Sequence, residues 1–277
     1  MGSSVSNSTL TLSSLRDGLS IVVITLNEEI NLPSLLQDIP KGAQIIVVDS
    51  GSTDKTAAIA AQFGATVHTR AFDNYAAQKN HAISLATTSW VLILDADERP
   101  DQKLWQSVVA VVEGSTKQET APSSKGQVYS LTRRLVFLGR KMEHGRTKEQ
   151  LARLFRPGSA TYENEIHETL RLAEGLEVKC LDGILWHHSY TSLDDYFARF
   201  NRYTTLMAAS RMKQNRGPVH PVVLAFRLPT DFLVRYLLRL GFLDGWQGFL
   251  WALFGSFYGF VKYAKLMEKQ ALGRPRE

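Results

Sequence analysis

Between Leu19 and Asp101 the chain alternates strictly between two periodicities, and no other feature narrows its fold as much. "LSIVVITL" is a short, β-branched apolar run. "NEEINLPSLLQDI" follows with helical spacing, with Asn27 where an N-cap belongs and Glu28 and Glu29 in the first turn. "QIIVVDS" reads as a second buried strand, and "STDKTAAIAAQFG" as a second helix capped by Ser52 or Thr53 and stopped at Gly64. "ATVHTRA", "NYAAQKNHAISLA" and "SWVLILD" continue the series as strand, helix and strand. Such alternation with short connections predicts an α/β fold, a mostly parallel sheet with helices on both faces.

Residues 113–126 are rich in turn formers and read as a polar loop. Beyond it, "QVYSLTRRLVFLG", "QLARLFRPG" and "GLEVKCLDGILWHHS" read as antiparallel strands. From Ser192 the pattern is helical to the end: an amphipathic helix, then two apolar ones near Val219–Leu240 and Trp246–Lys269. The expected divisions are a disordered polar tail over 1–18, an α/β half over 19–112, a second half over 127–190 and a helical region over 191–277.

A hydrophobic content of 44% with 21% charged residues excludes a disordered chain. Cys180, alone of its kind, cannot form an intramolecular disulfide and reads as a buried thiol in a reducing compartment. The polar N-terminus has no apolar stretch of the secretory type, so the expectation is a cytoplasmic protein. Met1-Gly2 with Ser6 fits a myristoylation pattern and Asn7-Ser8-Thr9 a glycosylation sequon, but both are short patterns common in Ser/Thr-rich tails.

The net charge of +5 calls for a negatively charged partner. From Arg211 onward eleven basic residues face four acidic ones, alongside the most hydrophobic segments. No nucleic-acid-binding module is visible, so no nucleic acid is expected. An anionic membrane surface suits the pattern better.

In open parallel sheets, ligands bind beyond the carboxyl ends of the strands. Three strands here end in polar signals: Thr25-Leu26-Asn27-Glu28, the run from Asp49 to Asp54, and Asp95-Ala96-Asp97. Neither G-x-G-x-x-G nor G-x-x-x-x-G-K-[ST] is present. Asp49 closes an apolar strand, where a carboxylate can accept hydrogen bonds from a ribose or a base. Asp95 and Asp97, two apart in an extended chain, would point the same way. That pair suits a hard divalent ion that also takes phosphate oxygens.

Taken together, "VVITLNEE", "IIVVDSGSTDKT" and "QKNHAISLATTSWVLILDADE" resemble the family 2 glycosyltransferases, with their GT-A nucleotide-sugar-binding fold. "RLFRPGSATYENEIHETL", "LWHHSYTSLDDYFARFNRYT" and "GFLDGWQGFLWALFGSFYGFVKYAKL" resemble the branch of lipopolysaccharide-core glucosyltransferase-like proteins. The resemblance implies an inverting hexosyltransferase that uses a UDP-sugar and Mg²⁺ or Mn²⁺, acting on a lipopolysaccharide-core or other lipid-linked hydroxyl; the alternatives are a polyprenyl-phosphate glycosyltransferase and a non-catalytic, membrane-associated sugar-nucleotide-binding protein. It makes 19–112 the nucleotide-sugar half and 127–190 the acceptor half.

It also implies roles residue by residue. Thr25, Asn27, Glu28, Asp49 and Ser52 become nucleoside contacts, and Lys79 and Asn80 contacts near the ribose or phosphate. Asp95, Ala96 and Asp97 bridge the diphosphate through the metal, aided by Arg153 or Arg156. The base that takes the acceptor's proton lies in "YENEIHETL", with Glu168 favoured through its "HE" element and Glu165 second. His187 is a further candidate metal ligand, although a histidine after an apolar strand is more often simply packed.

"WQGFLWALFGSFYGFV" is about the shortest run that could cross a bilayer. It could span, lie in the interface or pack in an oligomer. Arg227, Asp231, Arg235 and Arg239 punctuate the helix before it, which favours in-plane attachment to the inner face of the plasma membrane.

Overall fold

A computed structural model describes residues 15, 18–116, 127–163, 169–213 and 220–272. The elements run β1 (Leu19–Thr25), α1 (Leu32–Gln37), β2 (Gln44–Asp49), α2 (Thr56–Gln62), β3 (Thr66–Thr69), α3 (Tyr75–Ser84), β4 (Trp90–Asp95), β5 (Glu98–Pro100) and α4 (Gln102–Thr116). Then follow β6 (Gln127–Phe137), β7 (Arg140–Lys141), β8 (Lys148–Phe155), β9 (Ala160–Glu163), β10 (Thr169–Leu172) and β11 (Glu177–Tyr190). Helices α5 (Leu193–Lys213), α6 (Pro221–Leu233) and α7 (Gly245–Leu272) close the chain, with a π turn at Val234–Leu238 and a 3-10 turn at Gly241–Asp244.

The predicted alternation is present. The sheet order is β3-β2-β1-β4-β8-β6-β11-β5, and β3, β2, β1 and β4 are mutually parallel. Strand β8 joins antiparallel to β4, and β7 hairpins onto β6. Period-two alternation explains why both faces are covered. Ile21, Val23, Leu92 and Leu94 pack with α1, α2 and α4 on one side, while Val22, Ile46, Val91 and Ile93 pack with α3 on the other. In α4, Leu104, Val108 and Val112 recur every fourth residue into that first layer.

The chain forms two compact units. One comprises the described residues within Met1–Arg133 and Gln150–Leu185; the other comprises those within Arg134–Glu149 and Trp186–Glu277. The second half expected over 127–190 is therefore divided between them. Leu15 is fully buried in the first unit's core and the Gly18 carbonyl accepts from Trp90 N at 2.9 Å, so the fold begins before residue 19. The second unit centres on Leu135, Phe137, Met142, Tyr196 and Phe200, packed against Trp251 and Phe254 of α7. A Cβ on Gly248 would lie 1.9 Å from the Gly241 carbonyl oxygen, so only glycine lets α7 close onto the 3-10 turn.

Several local expectations are corrected. Asn27 is not an N-cap: it sits at φ +56°, and α1 begins five residues later, with Pro33 in its first turn. Neither Ser52 nor Thr53 caps α2, whose N-cap is Lys55. Helix α4 extends to Thr116, into the expected loop. Cys180 is exposed rather than buried. Among the described residues, no helix is long and apolar enough to cross a membrane.

Candidate active site

The loops after β1 and β2 are joined by their own side chains. Asp49 is buried at the end of β2. Its Oδ1 accepts from Thr25 Oγ1 at 3.0 Å and Ser52 Oγ at 2.5 Å, and its Oδ2 from the backbone N–H of Gly51 and Ser52 at 3.1 and 2.8 Å. Four donors saturate a carboxylate that the sequence reading offered to a nucleoside. Ser52 Oγ accepts from Asn27 N at 2.8 Å, and Asn27 Oδ1 accepts from Thr53 N at 2.9 Å. Glu28 N–H donates to Thr56 Oγ1 at 2.8 Å, and Glu28 Oε2 accepts from Asn31 Nδ2 at 2.8 Å. Thr25, Asn27, Glu28, Asp49 and Ser52 are thus brought together, building a rigid rim beyond the strand ends.

Asp54 fastens the same rim. Against a desolvation effect that acts the other way, hydrogen bonds from the Thr56 hydroxyl and from backbone N–H groups hold its carboxyl below the usual value.

The acidic tip beyond β4 answers to the protein's own cations. Asp95 Oδ2 accepts from Arg153 Nη2 at 2.9 Å, and Lys79 Nζ lies 3.7 Å from its Oδ1. Glu98, fully buried, takes Arg133 at 3.1 Å and Arg153 at 3.6 Å, while its Oε2 accepts from Asp95 N at 2.9 Å. Burial works against the charge of Arg153, but Asp95 and Glu98 outweigh it and hold that guanidinium well above its ordinary value. Glu98, Arg133 and Arg99 are members of the site that sequence reasoning missed. Arg99 donates to the carbonyls of Ala96 and Glu98 at 2.7 Å and to Asn31 O at 2.5 Å, tying the turn to the rim. The available signal was the third acid, Glu98, followed at once by an arginine.

Asp97 does not extend β4. Residues 96 and 97 form a turn into β5, so the period-two argument that aligned Asp97 with Asp95 fails. Asp97 is half-buried on that turn, and its charge acts on Arg99. Among the described residues no three His, Cys, Asp or Glu side chains gather into a metal cage. One or two carboxylates beside a diphosphate are nevertheless the donor set that Mg²⁺ or Mn²⁺ takes when substrate oxygens and water complete its shell. The residues at this turn fit such an ion.

Other sequence candidates fall elsewhere. Asn80 uses both amide atoms on the backbone of Tyr162, at 2.8 and 2.9 Å, which holds β9 to α3. Arg156 stacks over Trp90, 4.9 Å from the ring centroid, at the start of β4. Antiparallel pairing of β8 sets it there, roughly 16 Å along the strand from Asp95. His187 belongs to the second unit, with Ser189 Oγ 2.8 Å from its Nδ1. Glu165 and Glu168 lie outside the described residues.

Residues 20–159 match the family described as Glycosyl transferase family 2. The chain is 30% identical over 263 residues to the lipopolysaccharide core biosynthesis glycosyltransferase LpsC of Rhizobium meliloti, covering 92% of this chain and 93% of that protein. It is 28% identical over 264 residues to an uncharacterized glycosyltransferase of Rickettsia typhi, covering 90% and 87%. Among solved structures, Staphylococcus aureus TarS residues 1–349 in complex with UDP is similar with a TM-score of 0.43 and 14% identity, covering 94% of this chain and 93% of that one. A family match over about half of the chain, with the LpsC alignment over nearly all of it, means that this chain belongs to the family 2 glycosyltransferases and that its α/β fold is of their GT-A type.

Proposed function

We propose that this glycosyltransferase moves a hexose, with inversion, from a UDP-sugar to a hydroxyl of the lipopolysaccharide core or of another lipid-linked acceptor. The observation that carries the reading is the turn at Ala96–Asp97, backed by the Asp95–Arg153–Glu98 cluster, in which Arg153 and Glu98 are buried. That cluster fixes the backbone from which Asp97 projects at the carboxyl end of a central strand. The LpsC relative favours the lipopolysaccharide-core acceptor, and the motif resemblance favours uridine.

Asp97, with Asp95 beside it, would hold Mg²⁺ or Mn²⁺, which when bound neutralises charge developing on the leaving diphosphate. Lys79 and Arg153 add positive potential on the same side. The sewn loops around Asp49 position the nucleoside against a rim that need not reorganise. Glu168 takes the proton of the attacking hydroxyl, with Glu165 the second candidate.

Incubation with UDP-hexoses, Mn²⁺ and lipopolysaccharide-core acceptors, with the new linkage read by NMR, tests the reading. A β-linked product from an α-linked donor is expected. An α-linked product would overturn inversion, and donor turnover without transfer to any lipid-linked acceptor would overturn the acceptor class.

A further inference from the structure

Three helices of the second unit each bring one cation to a single aromatic ring. Around Tyr263 of α7 stand Arg211 of α5 with its Cζ at 4.9 Å, Arg227 of α6 with its Cζ at 4.7 Å, and Lys262 of α7 with its Nζ at 5.1 Å from the ring centroid. One ring can attract cations, but it cannot neutralise three that repel one another. The carboxylate that acts on Lys262 is Asp231, and Arg235 and Arg146 already hold its oxygens at 2.9 and 3.4 Å. Arg211 Nε is buried and, among the described residues, has no hydrogen-bond partner. Burial lowers the pKa of the Lys262 ammonium, and Arg211 and Arg227 lower it further. An anion would relieve each of these.

The surroundings say where that anion comes from. Val222, Phe226 and Leu233 lie on one face of α6, and all three are exposed, Phe226 at 66%. The π turn that follows exposes Leu238 at 75%, and Trp246 at the start of α7 is 59% exposed. Exposed apolar side chains on the helix that carries Arg227, with an exposed indole at the start of the helix that carries Lys262, match the boundary between acyl chains and phosphates in a bilayer. We infer that Arg211, Arg227 and Lys262 form a binding site for the phosphate of an anionic phospholipid, which seats the helical unit in the plane of a membrane. This site is separate from the donor site and stands whether or not the glycosyl-transfer reading holds.

The test is flotation of the full chain with phosphatidylcholine vesicles, with and without phosphatidylglycerol, at fixed ionic strength. Binding is expected only with phosphatidylglycerol. Arg227→Gln should weaken it about fivefold, and the Arg227→Gln, Lys262→Gln double variant about 25-fold. Lys41→Gln, the same charge loss in the first unit, should leave binding within about twofold. Arg227 is exposed, so its single variant remains a test if the double variant fails to fold. Equal loss in Lys41→Gln, or none in Arg227→Gln, would overturn the site. Thermal stabilisation by inorganic phosphate without vesicle binding would overturn the lipid source. A dimer by light scattering without vesicle binding would mean that a second copy covers this face, and would overturn it as well.

Discussion

The Arg153 guanidinium donates to Asp95 Oδ2 at 2.9 Å, and this ion pair separates the two aspartates of the Asp95-Ala96-Asp97 turn into different roles. Asp95 is tied into the Arg153–Glu98 cluster, whereas Asp97, on the turn itself, is the residue we propose as the main metal ligand.

Arg153→Met should therefore destabilise the first unit severely. It leaves Asp95 and the fully buried Glu98 short of a cation, a type of loss that costs about 3–5 kcal/mol. Urea unfolding measures it, and a variant as stable as the parent would show that the pair is dispensable.

Asp97→Ala should behave in the opposite way. Stability is expected to fall by less than in Arg153→Met, because Asp97 is only half-buried, while metal-dependent transfer disappears. Asp95→Asn should lose stability as well as activity. Full transfer by Asp97→Ala would remove the metal from this turn.

Asn80→Ala deletes two hydrogen bonds to the Tyr162 backbone, each of them part-buried. A cost of about 1–3 kcal/mol in thermal or urea unfolding is expected, with affinity for UDP little changed. Unchanged stability with weakened nucleotide binding would return Asn80 to the ligand site.

Glu168→Gln should keep donor binding and reduce transfer by about 10²–10⁴-fold, the usual worth of a positioned general base. If transfer is unaffected, Glu165→Gln becomes the deciding variant.

The layered α/β core was legible because short β-branched runs such as "SIVVIT" alternate with segments of helical spacing such as "STDKTAAIAAQFG". The parallel β1–β2 and β1–β4 pairs follow from that pattern. Local caps were less legible. Asn27 looks like a cap in one dimension, but its side chain is recruited by Thr53, a partner 26 residues away that periodicity does not reveal. The same limit hid the tasks of Asn80 and Arg156, which depend on β9 and β8. The two aspartates stood out in the sequence as a polar end to an apolar strand. Their geometry was misjudged because a turn at Ala96 breaks the extended chain, and because Arg153, 58 residues on, claims Asp95.

The most direct test of the central claim is calorimetric titration of UDP, ADP and GDP with and without Mn²⁺. The account predicts that UDP binds in the presence of Mn²⁺, binds far more weakly without it, and loses that dependence in Asp97→Ala. If no nucleotide binds under either condition, the turn at Asp97 is only a strand end and the donor-site assignment is contradicted.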